Sequence, residues 1–194
     1  MKVAIVKYNA GNVASVANAL KRLGIEPQIT DDANTIKTAD KVIFPGVGEA
    51  SSAMNHLQKR GLDSVIKNLK QPLLAICLGM QLMAKFSDEN DTKCLGILPY
   101  RVRRFFGKEL KVPHIGWNTI EGLGSDLFKN IPEGARVYFV HSYFLDNGDH
   151  TVAQTPYGSQ FSAAVNKDNF YGVQFHPEKS GTVGARILEN FLNI

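Results

Sequence analysis

An apolar run that leads directly into a cysteine constrains the fold of this chain more than any other feature. Leu73–Ile76 has the pattern of a buried β-strand, and residues 80–86 have the pattern of a helix. The chain must therefore turn sharply at Cys77. Such a strand–nucleophile–helix turn projects its reactive atom above a sheet, and the small residues Ala75 and Gly79 let it form. On this segment alone, Cys77 is either that nucleophile or an inert core cysteine.

Strands and helices alternate along the first half of the chain. Strands are predicted at residues 2–8, 25–29, 41–44 and 73–76, with helical patterns between them. The second half has strand-like runs with few helices between them, at residues 95–102, 136–140, 151–154, 159–165 and 171–175, before a closing helix at 184–192. We therefore predict one domain, residues 1–194, folded as a three-layer α/β/α sandwich with a mixed, mostly parallel central sheet.

Composition excludes several classes of function. With 194 residues and 44% hydrophobic content, one core can stabilise the chain without metals or disulfides. The net charge of +4 is spread along the chain, and its densest cluster is Arg101, Arg103 and Arg104, which fits a solvated strand or loop face better than the alternative of an anion or partner site. No nucleic-acid partner is expected, because the sequence has no pattern of basic residues interleaved with aromatic ones. The apolar run at the N-terminus is too short for a signal peptide or a membrane span. We therefore expect a cytoplasmic protein with reduced thiols, no membrane partner and no cofactor or metal.

A histidine and a glutamate follow the predicted strand at residues 171–175. A thiol nucleophile needs a base to take its proton, and the base needs a third group to orient it. His176 and Glu178 lie two positions apart, with Pro177 stiffening the turn between them. His176 alone would more often be structural, but together with Glu178 and Cys77 it is a candidate catalytic base. The second cysteine, Cys94, lacks the strand–Cys–Gly–helix context and is expected to be inert.

A glycine-rich loop follows the predicted strand at Lys41–Phe44. It reads Pro45-Gly46-Val47-Gly48, and its two glycines allow the backbone to approach a ligand or to turn an N–H toward it. A donor aimed at developing negative charge contributes about 10²–10³ in rate. A loop of this composition is also common without any such role, so it supports catalysis only in combination with the other motifs.

Six segments together make the chain resemble the class I (triad) glutamine amidotransferases, over nearly its whole length. Within that class it resembles the glutaminase subunits of imidazole glycerol phosphate synthase. The segments are Tyr8-Asn9-Ala10-Gly11-Asn12, Pro45-Gly46-Val47-Gly48, Cys77-Leu78-Gly79-Met80-Gln81, Pro113-His114-Ile115-Gly116-Trp117-Asn118, Tyr138-Phe139-Val140-His141-Ser142-Tyr143 and Gln174-Phe175-His176-Pro177-Glu178-Lys179-Ser180. Two departures are Ala75, where the class usually has glycine, and Glu49-Ala50, where an aromatic residue is common.

The resemblance implies specific roles. Cys77 would attack the side-chain amide of glutamine, His176 would protonate the departing ammonia and then activate water against the thioester, and Glu178 would orient His176. Backbone N–H groups of Leu78 and of the Val47–Gly48 region would bind the oxyanion. The residues expected to line the glutamine site are Gly48, Gln81, Ser142 and Tyr143.

The resemblance also implies a partner. It would be a (β/α)₈ cyclase subunit that forms a heterodimer with this chain and takes ammonia through a shielded channel. The ammonia would react there with a ribulosyl aminoimidazole carboxamide nucleotide in histidine biosynthesis. A turn of the glycine-rich loop that completes the oxyanion hole only when the partner holds its substrate would be allosteric activation. The residues that match the expected interface are Asn12, Trp117, Asn118, Tyr138 and Lys179. From its residue type alone, Trp117 could equally be a core aromatic.

Three other functions remain open. One is another triad glutaminase that docks on a barrel, such as the one that feeds pyridoxal phosphate synthase; the Trp117 and Tyr138–Tyr143 segments disfavour it. Another is a non-catalytic regulatory subunit that keeps only the fold, which the presence of all three triad residues disfavours. The third is a cysteine hydrolase of γ-glutamyl peptides that acts alone, which an absence of partner dependence would reveal.

Overall fold

A computed structural model describes residues 1–8, 12–107 and 109–194. Its helices are α1 (Val13–Arg22), α2 (Ala33–Thr38), α3 (Ala50–Lys59), α4 (Leu62–Lys67), α5 (Leu78–Leu82) and α6 (Gly181–Asn193). Its strands are β1 (Val3–Val6), β2 (Gln28–Thr30), β3 (Lys41–Phe44), β4 (Leu73–Ile76), β5 (Phe86–Ser87), β6 (Thr92–Lys93), β7 (Arg101–Arg104), β8 (His114–Ile120), β9 (Ala135–His141), β10 (Tyr143–Leu145), β11 (Thr151–Tyr157), β12 (Ser159–Lys167) and β13 (Phe170–Val173). In the predicted motif at residues 8–12, positions 9–11 lie outside the described residues.

The central sheet is mixed and mostly parallel, as the sequence predicted. It has seven strands in the order β11-β12-β13-β4-β3-β1-β2. The strands from β13 to β2 pair in parallel, while β11 and β12 form an antiparallel extension. The carboxyl ends of the parallel strands therefore meet at one edge of the sheet, which is where ligand sites form in such folds.

Each face of the central sheet is covered by its own hydrophobic core. Alternate residues of β1 point to opposite faces, so Ala4 and Val6 join one core and Val3 and Ile5 join the other. Leu57 of α3 and Ile66 of α4 pack into the first core, and α1 and α6 pack into the second. The result is the predicted three-layer α/β/α sandwich.

The segment after α5 differs from its prediction. The helix expected at residues 80–86 ends at Leu82, and the strand expected at residues 95–102 begins only at Arg101. The N–H groups of Leu95, Gly96 and Leu98 donate to the carbonyls of residues 82, 84 and 83. This apolar stretch therefore caps the end of α5 as an irregular segment, so its hydrophobicity reflects burial and not strand pairing.

Strand β8 was not predicted. It contains Gly116, which weakens a strand pattern, yet it pairs antiparallel with β9 along its full length, from His114 opposite His141 to Ile120 opposite Ala135. This two-stranded sheet lies beside the carboxyl edge of the central sheet, since the N–H of His176 donates to the carbonyl of Tyr138. None of the helices described is long and apolar enough to cross a bilayer.

Candidate active site

The turn at Cys77 has the strained backbone that the sequence predicted. Strand β4 ends at Ile76, α5 begins at Leu78, and Cys77 between them has φ 54° and ψ −109°. Non-glycine residues rarely adopt such angles, at a cost on the order of 1–3 kcal/mol. Two hydrogen bonds hold the turn: the Cys77 N–H donates to Val173 O at 2.8 Å, and the Gln81 N–H donates to Cys77 O at 3.1 Å.

The glycine of this turn is required by close packing. A Cβ on Gly79 would lie 2.1 Å from the carbonyl oxygen of Phe44, far inside contact distance. The start of α5 therefore rests directly against the end of β3. This contact places the glycine-rich loop that follows β3 next to Cys77.

Sheet pairing brings the predicted base to the nucleophile. Strand β13 pairs in parallel with β4, with Val173 opposite Ile76. Cys77 and His176 therefore both lie just past the carboxyl ends of neighbouring strands. The two side chains share one edge of the sheet although they are far apart in sequence.

His176 and Glu178 form a buried pair. The Nδ1 of His176 lies 2.7 Å from Oε1 of Glu178, and both side chains are almost completely buried. Because a carboxylate only accepts hydrogen bonds, Nδ1 carries the hydrogen. Nε2 makes no hydrogen bond to any described residue. Asn12 Nδ2 also donates to Glu178 Oε1, so this predicted interface residue contacts the triad.

The surroundings of His176 favour its protonated form. Burial acts to lower the pKa of His176, but the Cys77 and Glu178 side chains outweigh burial and raise that pKa to about 10. Since Glu178 occupies Nδ1, the influence of Cys77 reaches the ring at Nε2. An imidazole held as imidazolium beside a sulfur is the arrangement that a thiolate nucleophile requires.

A cavity opens in front of Cys77. Its volume is about 320 Å³, at the lower end of the range for small-molecule sites. The six residues predicted for the oxyanion hole and the glutamine site all line it: Val47, Gly48, Leu78, Gln81, Ser142 and Tyr143. Within the described ranges, no group of three or more His, Cys, Asp or Glu side chains is arranged to hold a metal ion.

The glycine-rich loop is held against the turn. Tyr8 Oη donates to Pro45 O at 2.7 Å, and the N–H of Leu78 donates to Gly46 O at 3.3 Å. Burial and the nearby Cys77 raise the pKa of Tyr8, so its phenol keeps its proton. The predicted oxyanion donor at Leu78 is thus already engaged, through a long bond. The N–H groups of Val47 and Gly48 make no hydrogen bond to the described residues.

A carboxylate that was not predicted from the sequence lies in the cavity wall. Glu89 lines the cavity, and its Oε2 accepts the N–H of Ala50 at 2.8 Å. Burial and the neighbouring Glu49 raise the pKa of Glu89, while the bond from Ala50 lowers it in part. The acidic run Asp88-Glu89-Asn90-Asp91 was a signal in the sequence, but its spacing from Cys77 acquires meaning only from the fold.

The predicted interface residues fall into two groups. Trp117 is 48% exposed, and its ring lies 6.1 Å from that of Tyr138, its pairing partner on β9. Lys179 Nζ lies 5.9 Å from the centre of the Tyr138 ring, so these three residues form one patch. Asn118 points to the other side of β8 and donates to Pro156 O at 2.9 Å. The exposure of Trp117 shows that the core alternative for this residue is wrong.

Cys94 and the arginines of β7 were expected to take no part in the chemistry, and their surroundings agree with that expectation. Cys94 is a buried free thiol whose pKa burial and Glu89 raise to about 12. Arg101 and Arg103 lie on the exposed strand β7 and form ion pairs with Asp88 and Asp146. These cations are solvated, as predicted. The raised pKa of Cys94 keeps it a thiol, so Cys77 is the cysteine suited to chemistry.

Comparison with solved structures agrees with this fold. A crystal structure of a glutamine amidotransferase matches with a TM-score of 0.77 at 21% identity, covering 100% of this chain and 98% of that one. The structure of PurLQS from Thermotoga maritima matches with a TM-score of 0.72 at 19% identity, covering 99% of this chain and 97% of that one. At these identities the likeness concerns the fold alone.

Comparison of sequences is more specific. The family model "Glutamine amidotransferase class-I" matches residues 4–194. The chain is 58% identical to imidazole glycerol phosphate synthase subunit HisH of Bacteroides fragilis, over 100% of both chains. It is 46% identical to the HisH subunit of Vibrio parahaemolyticus, over 100% of this chain and 98% of the relative. The chain therefore belongs to the class-I glutamine amidotransferase family and, within it, to the HisH subunits of imidazole glycerol phosphate synthase.

Proposed function

We propose that this chain hydrolyses glutamine to glutamate and ammonia and supplies the ammonia to the synthase partner of an imidazole glycerol phosphate synthase. The observation that carries the proposal is the buried His176–Glu178 pair at the same sheet edge as the strained Cys77 turn. Family membership supports the substrate and the pathway. The residue roles rest on the geometry.

The reaction follows from the side chains in the cavity. Cys77 Sγ attacks the side-chain amide carbon of glutamine, and the carbonyl oxygen becomes an oxyanion. His176 Nε2 gives its proton to the nitrogen as the C–N bond breaks, releasing ammonia and leaving a thioester on Cys77. His176 then takes a proton from water, which attacks the thioester and releases glutamate. Glu178 keeps Nδ1 protonated and so presents Nε2 to both steps.

The oxyanion is proposed to bind between the turn and the glycine-rich loop. The N–H groups of Val47 and Gly48 are free of bonds to described residues. The N–H of Leu78 must exchange the Gly46 carbonyl for the oxyanion, and the bond it gives up is long, at 3.3 Å. Gly48 has φ +112°, a conformation that favours glycine, which lets this peptide take orientations closed to other residues.

The rest of the cavity is proposed to bind the amino-acid part of the substrate. Gln81, Ser142 and Tyr143 supply polar groups near the amide. Glu89 is the carboxylate in the cavity wall, and a half-buried carboxylate is a suitable partner for the α-ammonium of glutamine. A substrate lacking that ammonium should bind poorly.

The patch of Trp117, Tyr138 and Lys179 is proposed to meet a (β/α)₈ cyclase partner, forming a heterodimer. An exposed tryptophan beside a tyrosine and a lysine has the composition of an interface centre. Trp117→Ala should weaken partner binding at least tenfold in titration calorimetry. Ile29→Ala, at an exposed residue of edge strand β2, is the matched control and should leave affinity unchanged. Equal affinities for both variants would contradict this interface.

The function is tested by separating glutamine use from ammonia use. Cys77→Ser should lose glutaminase activity, while its complex with the partner still works when ammonium is supplied. Cys94→Ser is the matched control, since the same atom is changed at a buried thiol with a pKa of about 12, and it should retain activity. Glutaminase activity in Cys77→Ser at the wild-type level would refute the nucleophile assignment.

Partner dependence distinguishes the proposal from a γ-glutamyl hydrolase that acts alone. The isolated chain should hydrolyse glutamine slowly, and the rate should rise when the cyclase partner and its nucleotide are added, because the N–H of Leu78 is engaged by Gly46. Full activity without a partner would contradict regulation through this loop.

A further inference from the structure

Gln174, a buried glutamine next to Gln81, contacts Cys77. Gln174 is completely buried, and its Nε2 lies 3.6 Å from Sγ of Cys77. Its Oε1 accepts a hydrogen bond from Nε2 of Gln81 at 3.0 Å. The roles described above for the triad and the cavity make no use of Gln174.

The direction of these hydrogen bonds is set by a backbone carbonyl. The carbonyl of Tyr143 can only accept, so the atom of Gln81 that lies 2.8 Å from it is the amide nitrogen. The same nitrogen faces Gln174, whose nearer atom must therefore be its oxygen. Gln174 is then left with its amide nitrogen toward Cys77, and the sulfur meets an N–H donor.

His141 binds the same carbonyl and is itself held by His114. His141 Nδ1 lies 2.7 Å from Tyr143 O and must carry the hydrogen, so its Nε2 is an acceptor. His114 Nδ1 lies 3.0 Å from that Nε2 and donates to it. Burial lowers the pKa of His114 to about 4 and that of His141 to about 3, so both rings are neutral and this arrangement is unique. The carbonyl that orients Gln81 thus also accepts a hydrogen bond from His141, whose tautomer is set by His114.

We propose that Gln174 is a positioning residue for Cys77, with an amide N–H that holds the sulfur as a thiolate facing the cavity. The proposal rests on the proposed function of Cys77. An N–H donor stabilises an anionic sulfur more than a neutral thiol. When the sulfur is a thiol, it can instead reach Val140 O, at 3.9 Å. Gln174 therefore favours the reactive form and restricts its direction.

The same hydrogen bonds determine which group Gln81 can offer to a substrate. Both hydrogens of its amide are used, one on Tyr143 O and one on Gln174 Oε1. Gln81 can then offer substrate only its oxygen, an acceptor suited to an N–H of glutamine. Gln81 thus faces the cavity with an acceptor, while Gln174 faces Cys77 with a donor.

The test uses Gln174→Glu and Gln174→Met in the complex with the partner. The glutamate keeps the shape and still accepts from Gln81 but turns an oxygen toward the sulfur, and methionine has similar length but no donor. Both should lower kcat about tenfold or more while KM changes less than about threefold, as expected for the loss of a hydrogen bond to a charged group. The pH profile of Cys77 alkylation by iodoacetamide should move to higher pH in both variants, and further in Gln174→Glu.

Controls separate positioning from a purely structural role. Both variants leave unchanged the other titratable groups around the sulfur and in its cavity, namely His176, Glu178, His141, Tyr8, Tyr143 and Glu89. Asn169→Asp alters another partly buried amide, which donates to the carbonyls of Leu69 and Gln71 and lies far from the cavity; it should leave the alkylation profile in place.

Each outcome decides one question. Folded Gln174 variants with wild-type kcat and an unmoved alkylation profile would overturn the role of Gln174 while leaving the glutaminase proposal intact. If the wild-type complex hydrolyses no glutamine, but the Gln174 variants still shift the pH profile of Cys77 alkylation, the role of Gln174 is supported and the proposed function is refuted. If Gln174→Glu does not fold, Gln174→Met decides.

Discussion

The backbone strain at Cys77 should lower the free energy of unfolding, an effect that can be measured independently of catalysis. Cys77 is not glycine, yet it has φ 54° and ψ −109°. Two backbone hydrogen bonds and the contact of Gly79 with Phe44 hold this conformation, so a substituted residue should keep it. Replacing the side chain by hydrogen should therefore relieve strain that alanine would retain.

The expected magnitude follows from two opposing effects. Relief of strain contributes about 1–3 kcal/mol. Glycine loses about 0.5–1 kcal/mol relative to alanine because the unfolded chain gains freedom. The difference of these ranges is about 0–2.5 kcal/mol, so Cys77→Gly should be more stable than Cys77→Ala by about 1 kcal/mol at mid-range, which raises the melting temperature by roughly 2–4 °C for a domain of this size.

The assay compares urea unfolding of the two variants, both of which lack the nucleophile. Ala185→Gly, at a half-buried position inside helix α6, is the matched control, and there glycine should destabilise by about 1 kcal/mol. Opposite signs at the two positions are expected. If glycine destabilises at position 77 by as much as at position 185, the turn is not strained and the reasoning fails.

Further variants probe the same region. Gly79→Ala should destabilise the fold by about 3 kcal/mol or more, measured by urea unfolding, because its Cβ would lie 2.1 Å from Phe44 O; wild-type stability would contradict this packing. Glu178→Gln should lower kcat by about 10²–10⁴, measured in the complex, because it offers His176 an uncharged partner; an unchanged kcat would refute the role of Glu178. Because, against the lowering effect of burial, Cys77 and Glu178 together raise the pKa of His176 from 6.5 to about 10, the stability from these contacts, of which Glu178 supplies a part, is complete below pH 6.5 and declines as the pH rises through 10. The difference in unfolding free energy between wild type and Glu178→Gln should narrow over that window. Glu89→Gln should raise KM for glutamine about tenfold with a smaller change in kcat, and an unchanged KM would exclude Glu89 from the substrate site.

The parts of the fold that could be predicted were those with strong local patterns. Strands β3 and β4 are short, buried and apolar apart from Lys41 at the start of β3, and their bounds were predicted without error. Helix α1 was predicted from the helical spacing of its apolar residues and from Gly24, which follows its end. These elements follow from hydrophobic periodicity, which is local information.

The parts that failed depend on tertiary contacts. The apolar stretch from Leu95 to Leu98 was predicted as a strand, but it caps α5, and no local pattern distinguishes the two. Strand β8 contains Gly116, and its strand pairing comes from β9. Glu89 lies in an acidic run with the composition of a solvated loop, and only the cavity around it reveals a candidate role.

Pairing between residues distant in sequence also decides the candidate site. The positions of Cys77, His176 and Glu178 were predicted from motifs, but their meeting depends on β13 lying beside β4. The separation of Asn118 from Trp117 follows from strand alternation in β8, which the sequence analysis did not predict as a strand. The contact of Gln174 with Cys77 has the same tertiary origin.

The central claim is that Cys77 is the nucleophile and His176 its acid and base. The most direct measurement incubates the complex with 6-diazo-5-oxo-L-norleucine, a reactive glutamine analogue, and locates the adduct by peptide mass spectrometry. One adduct is expected, on Cys77, formed at a much lower rate in His176→Asn and unaffected by Cys94→Ser. An adduct on Cys94, or labelling of Cys77 at the same rate without His176, would contradict the account.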